Sequence, residues 1–96
     1  MGWFLYVLRC VDDSLYTGIT TDVDRRVSEH NGSKLGAKYT KGKRPVVLLQ
    51  SFPFPNRSEA SRAEWQFKKL SRRHKEQVLS GNRIPPWGDS LGDEAP

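Results

Sequence analysis

The run Trp3-Phe4-Leu5-Tyr6-Val7-Leu8 is the longest stretch of apolar and aromatic residues in the chain. It does not alternate, so it has no polar face to offer water and reads as a strand covered on both sides. A chain of 96 residues builds one domain. This strand therefore belongs at the centre of a sheet, with other elements above and below it. Hydrophobic residues make up 35% of the chain, which leaves a modest core. The run falls short of the ~18 apolar residues of a membrane span. It also lacks the basic leader and cleavage site of a secretion signal, so no membrane association is expected. The single cysteine, Cys10, excludes an internal disulfide framework and a cysteine-built zinc site. A reducing, cytoplasmic setting is the simplest expectation.

The neighbouring segments supply the layers. Val11-Asp12-Asp13-Ser14 is a turn signal, and Leu15-Tyr16-Thr17-Gly18-Ile19 is a second strand that makes a hairpin with the first. Gly18 inside a strand signals a bulge or a close approach. Asp22 can cap a helix running to Asn31, where Asn31-Gly32 stops it. Residues 31–44 form a loop or short helical piece, and residues 45–52 form a third strand. Ser58 is expected to cap a helix from Glu59 to Ser71 with Ala60, Ala63, Phe67 and Leu70 on its apolar side. A shorter helix from Arg73 to Leu79 closes at Ser80-Gly81. The order ββαβαα predicts an α+β fold, a three-stranded, mainly antiparallel sheet flanked by helices. Residues 1–81 form the domain. Residues 82–96 form an acidic, flexible tail, from which Trp87 could dock on the core.

The formal charge of +5 is unevenly spread. Residues 25–83 carry fifteen bases against four acids, a net of +11, while residues 1–24 and 84–96 each carry −3. A basic block of this density points to a polyanion, most often nucleic acid. The plain alternative is a solvated surface.

Polar residues on apolar faces are more informative. At about 100° per residue, Arg26 and His30 fall on the Val23–Val27 side of the first helix, and Arg25 falls opposite. On the long helix, Glu64 lies between Ala60 and Phe67, on the inward stripe. A buried carboxylate must be paired, hold a metal or become protonated. A salt bridge is the plain alternative, and Mg²⁺ ligation is the functional one. Tyr6 and Tyr16 share a face only if paired hairpin residues sum to an even number, through a three-residue loop or a bulge. The even register is expected.

Phe4-Leu5-Tyr6, Tyr16-Thr17-Gly18, Arg26, His30 and Glu64, in this order, resemble the GIY-YIG nuclease family. The stretches Arg25–Asn31, Gly36–Thr40 and Glu64-Trp65 are similar to its small bacterial YhbQ-like branch and to the nuclease domain of the Slx-type structure-specific endonuclease. The eponymous triplets are altered here. The asparagine that some members carry after the metal-binding helix has no good counterpart, Asn82 being a poor candidate.

The resemblance implies a Mg²⁺-dependent DNA endonuclease, with DNA repair or recombination as its setting. Glu64 would hold a single Mg²⁺ (or Mn²⁺), and Arg26 would bind the nonbridging phosphate oxygens. Tyr6 would be the general base, with its pKa lowered by Arg26 and the metal. Tyr16 and His30 would orient water and phosphate, with His30 the rival base. Thr17 and Gly18 would let DNA approach closely.

Lys34, Lys38, Lys41, Lys43, Arg44, Lys68, Lys69, Arg72 and Arg73 are candidate phosphate contacts. Tyr39 could stack on an unpaired base or anchor its loop. A phosphate-dominated grip predicts selection of single-stranded or branched DNA over any particular sequence, and a protein partner could add specificity. The alternative is a non-catalytic nucleic-acid-binding module on the same scaffold. A third reading is a domain whose basic face meets an acidic protein.

Overall fold

A computed structural model describes residues 2–32 and 38–88, apart from the side chains of Lys38 and Tyr39. The elements are β1 (Trp3–Arg9), β2 (Leu15–Thr20), α1 (Val23–Gly32), α2 (Lys38–Lys41), β3 (Val47–Phe54), α3 (Arg57–Lys68) and α4 (Arg72–Leu79). The strands form one antiparallel sheet in the order β2-β1-β3, so the apolar run is central as its composition requires. The expected α+β architecture is observed. Among the described residues no helix is long and apolar enough to cross a membrane.

Successive side chains of β1 point to opposite faces. Leu5 and Val7 meet Ala63 and Phe67 of α3 and Val78 of α4, with Leu15, Ile19, Phe52 and Phe54 around them. Tyr6 and Leu8 meet Cys10 and Val46, with Tyr16, Val23 and Val27. The α3 and α4 helices therefore cover one face, and α1 covers the other.

Local chemistry sets the boundaries. In the β1–β2 hairpin, Cys10 and Ser14 bracket the three-residue loop Val11–Asp13, with Cys10 N–H donating to the Ser14 carbonyl at 2.9 Å. Asp13 takes φ 72°, the left-handed conformation that this loop needs and an aspartate tolerates. Asp22 caps α1 as expected, accepting from the Arg25 N–H at 3.0 Å.

Two expectations shift. The third strand starts at Val47 and continues to Phe54. The α3 helix is capped by Asn56, which accepts from the Glu59 N–H, and not by Ser58. Ser58 lies inside the first turn, and the asparagine two residues earlier offers the same kind of acceptor. The α4 helix closes through Gly81 at φ 82°, whose N–H donates to the Val78 carbonyl while that of Asn82 donates to Gln77.

Trp87 docks edge-on against Phe52 and Phe54, at ring-centroid distances of 5.1 and 5.6 Å, and also lies against Phe67. The chain therefore packs on the core beyond residue 81, where the sequence places the start of a tail. The remainder of that tail, residues 89–96, lies outside the described residues.

Candidate active site

Tyr6 pairs with Gly18 and Leu8 with Tyr16, the even register. Both tyrosines therefore stand on the α1 face of the sheet, with ring centroids 6.3 Å apart. Gly18 explains how Tyr6 lies down. A Cβ there would sit 2.6 Å from the Tyr6 hydroxyl oxygen, a separation no real Cβ tolerates. The glycine thus lets the Tyr6 ring lean across β2 toward the outer edge of the sheet. The close approach read from the sequence is made by this protein's own tyrosine. Thr17 is buried and alternates onto the opposite face, beside Val7, so it is not part of this site.

The α1 helix brings its polar residues in as its periodicity requires. The Arg26 side chain is 25% exposed against 60% for Arg25. His30 is fully buried. Its Nε2 lies 2.9 Å from the Tyr6 hydroxyl and its Nδ1 lies 2.8 Å from Thr40 Oγ1. Its ring also meets that of Tyr16 edge-on, at 5.0 Å.

Donor and acceptor arithmetic orders this chain. Arg26 can only donate, and it bonds the Tyr6 oxygen. One self-consistent assignment has the Tyr6 hydroxyl donate to His30 Nε2 and leaves Nδ1–H to donate to Thr40. Thr40 was missed at the sequence level. It is a fully buried hydroxyl that holds the histidine ring in place through Nδ1. Its only local signal is a polar residue in a glycine- and lysine-rich loop.

Two further missed residues hold the frame. Asn31 accepts from the Val46 N–H and donates to the Val46 carbonyl, which ties the end of α1 to the start of β3. Glu29 accepts from Arg26 at 2.8 Å and lies 3.7 Å from Arg25.

Burial pushes the Tyr6 pKa up from 10.0 to about 12. The bond from Arg26 opposes this rise, while Tyr16 and, more weakly, the charge of Glu64 add to it. The expected lowering by Arg26 is therefore outweighed by loss of water around the phenol. Burial pushes His30 down, and the Arg26 charge adds to the effect. Both groups are neutral at neutral pH. Burial also opposes the Arg26 charge, but its bonds to Glu29 and Tyr6 raise its pKa.

Glu64 reaches the site from the opposite layer. The α3 helix packs along β2 and β1, and the Glu64 charge is felt at the Tyr6 hydroxyl. Its side chain is 24% exposed and pairs with Lys68 at 3.2 Å, so it is not the buried carboxylate expected from its stripe. By helix pitch it lies on the flank of the stripe and not at its centre. Among the described residues no group of three or more His, Cys, Asp or Glu could hold a metal ion. One partly hydrated carboxylate suits Mg²⁺ or Mn²⁺, which keep most of their water, and does not suit a structural zinc.

The basic candidates divide. Lys43 pairs with Asp12 at 3.1 Å, and Arg44 donates through Nε to the His30 carbonyl. Arg72 bridges Glu76 and Asp13. These three serve the fold. Lys41, Lys68, Lys69 and Arg73 are exposed. Lys34 lies outside the described residues, as do the side chains of Lys38 and Tyr39.

Comparison with known proteins shows the family. The family model described as "GIY-YIG catalytic domain" matches residues 2–77. UPF0213 protein BH0048 of Halalkalibacterium halodurans is 51% identical over 80 residues, covering 83% of this chain and 84% of that one. UPF0213 protein YhbQ of Escherichia coli O127:H6 is 50% identical over 82 residues, covering 85% and 81%. The solution NMR structure of BH0048 from Bacillus halodurans matches with a TM-score of 0.56 at 46% identity, over 96% of both chains. That of EF2693 from E. faecalis matches with a TM-score of 0.59 at 47% identity, over 84% and 85%. Both the fold that carries Tyr6, Tyr16, Arg26, His30 and Glu64 and the sequence that builds it place the chain in the GIY-YIG family, among its UPF0213 (YhbQ-like) proteins.

Proposed function

We propose that this protein is a metal-dependent endonuclease that hydrolyses DNA phosphodiester bonds and selects single-stranded or branched substrates. One observation carries the reading. The Tyr6 hydroxyl, bonded by Arg26 and His30, lies across the β2 edge within the field of the Glu64 carboxylate.

The geometry favours a relay over a standing phenolate. A water approaching phosphorus would give its proton to the Tyr6 oxygen as Tyr6 gives its own to His30 Nε2. The neutral imidazole can accept it in the tautomer that leaves Nε2 unprotonated, with Thr40 accepting from Nδ1–H. The new bond forms from the water oxygen to phosphorus, and the bond to the leaving nucleotide oxygen breaks. Arg26 would offer its planar fork of donors to the nonbridging oxygens, with Glu29 holding the guanidinium in place. Tyr16, at the half-buried rim, would position the phosphate. Glu64 would hold the Mg²⁺ or Mn²⁺, which when bound would supply positive charge at the scissile phosphate and its leaving oxygen.

The Lys68–Glu64 pair favours one second reading, a nucleic-acid-binding module whose carboxylate serves only a surface salt bridge. Labelled single-stranded, duplex and forked DNA, incubated with Mg²⁺ or EDTA, separates the two. The nuclease gives products with Mg²⁺ that vanish with EDTA and with Glu64→Ala. Absence of metal-dependent product from every substrate leaves the binder.

A further inference from the structure

Trp65 is 62% exposed, in a chain that has few apolar side chains to leave in water. The other two indoles are less exposed. Trp87 sits among Phe52, Phe54 and Phe67, and Trp3 lies under Arg57 at 5.7 Å. The α3 helix buries Ala60, Ala63 and Phe67 against the sheet. At about 100° per residue, Trp65 points nearly opposite to them. It directly follows Glu64, so the carboxylate flanks the catalytic edge while the indole stands one step further out on the same helix. Lys69 Nζ lies 4.0 Å from the centre of its ring, and Lys68, also exposed, stands beside it. Arg62, one turn before Trp65 on α3, adds a further exposed positive charge.

We propose that Trp65 is a stacking platform for an unpaired base of the bound strand on the outer face of α3, with Lys69 meeting the adjoining backbone. This rests on the nuclease reading of Glu64 and goes beyond it by assigning the preference for unpaired DNA to one side chain. The chemistry favours this occupant over a protein partner. An indole ringed by cations suits a π-face attached to an anionic backbone, and every base offers such a face whatever its identity. A base already stacked within a duplex gains nothing from the ring. The platform therefore discriminates by strandedness and not by sequence.

The test measures binding and cleavage separately. Fluorescein-labelled single-stranded and blunt duplex DNA of equal length are titrated, in EDTA, with Glu64→Ala and with the double variants Glu64→Ala/Trp65→Ala and Glu64→Ala/Trp65→Phe. Loss of the indole should weaken single-strand binding by about 5- to 150-fold, the range of one lost base stack. Duplex binding should stay within about twofold, and phenylalanine should recover most of the loss because it keeps a π-face. Equal weakening on both substrates, no weakening on either, or no single-strand preference in Glu64→Ala itself overturns the platform. Mg²⁺-dependent cleavage by the unaltered protein is scored independently. A nuclease without a platform and a platform without a nuclease therefore give different results.

Discussion

On one face of the sheet Leu5 and Val7 meet Ala63, Phe67 and Val78 in an apolar cluster. On the other face the same strand presents Tyr6, and the buried layer beneath α1 contains a phenol, an imidazole and a hydroxyl. The first face gains stability from area removed from water, at about 25 cal/mol per Å². The second spends buried volume on three polar groups that balance only because each supplies what the next requires. Arg26, Tyr6, His30 and Thr40 form one bonded series. A fold needing only stability could place leucines there. The contrast between the faces thus separates what holds this domain together from what it does.

Three changes would break or sharpen the contrast. The largest effect on stability is expected from Phe67→Ala on the apolar face, which should cost about 3–5 kcal/mol through lost transfer energy and an unfilled cavity. Urea denaturation would show it, with cleavage lost only in proportion to the unfolded fraction. A near-unchanged midpoint would mean that the apolar face is not the main support.

The second change is alkaline pH. Tyr6 has its folded-state pKa raised from 10.0 to about 12. The unfolded chain therefore releases this proton first. The corresponding stability is complete below pH 10 and is lost as pH rises to 12, a total of about 3 kcal/mol. Tyr6→Phe should flatten that window in denaturation midpoints taken across it. An unchanged slope would assign the titration elsewhere.

The smallest stability effect, about 1–3 kcal/mol of overpacking, belongs to Gly18→Ala. Its Cβ would meet the Tyr6 hydroxyl, so the cost should fall on the polar face. Cleavage should drop by about 100-fold if the phenol is displaced by an ångström. A variant as active as its parent would show that Tyr6 does not need to lie across β2.

The fold was largely legible. The central place of β1 follows from an apolar run with no side to give to water. The inward Arg26 and outward Arg25 follow from helical periodicity alone. The hairpin register was legible only as a condition, that the tyrosines meet if the turn holds three residues. Asp13 at φ 72° meets it. Boundaries were less legible, because Asn56 and Ser58 compete for the same cap and geometry chooses between them.

The site divides along the same line. The sequence by itself determined which side chains could meet at the β2 edge, because strand alternation and helix pitch are local rules. Only the tertiary structure decided their states. Burial by distant segments drives the Tyr6 pKa up when its charged neighbour alone would draw it down. Thr40, ten residues from His30, supplies the partner of the histidine's second ring nitrogen. Glu64 sits partly exposed against Lys68, and Arg44 is committed to a backbone carbonyl. Protonation, exposure and pairing depend on the dielectric and the partners that remote parts of the chain bring together. Those are properties of the assembled layers, and no spacing along the chain encodes them.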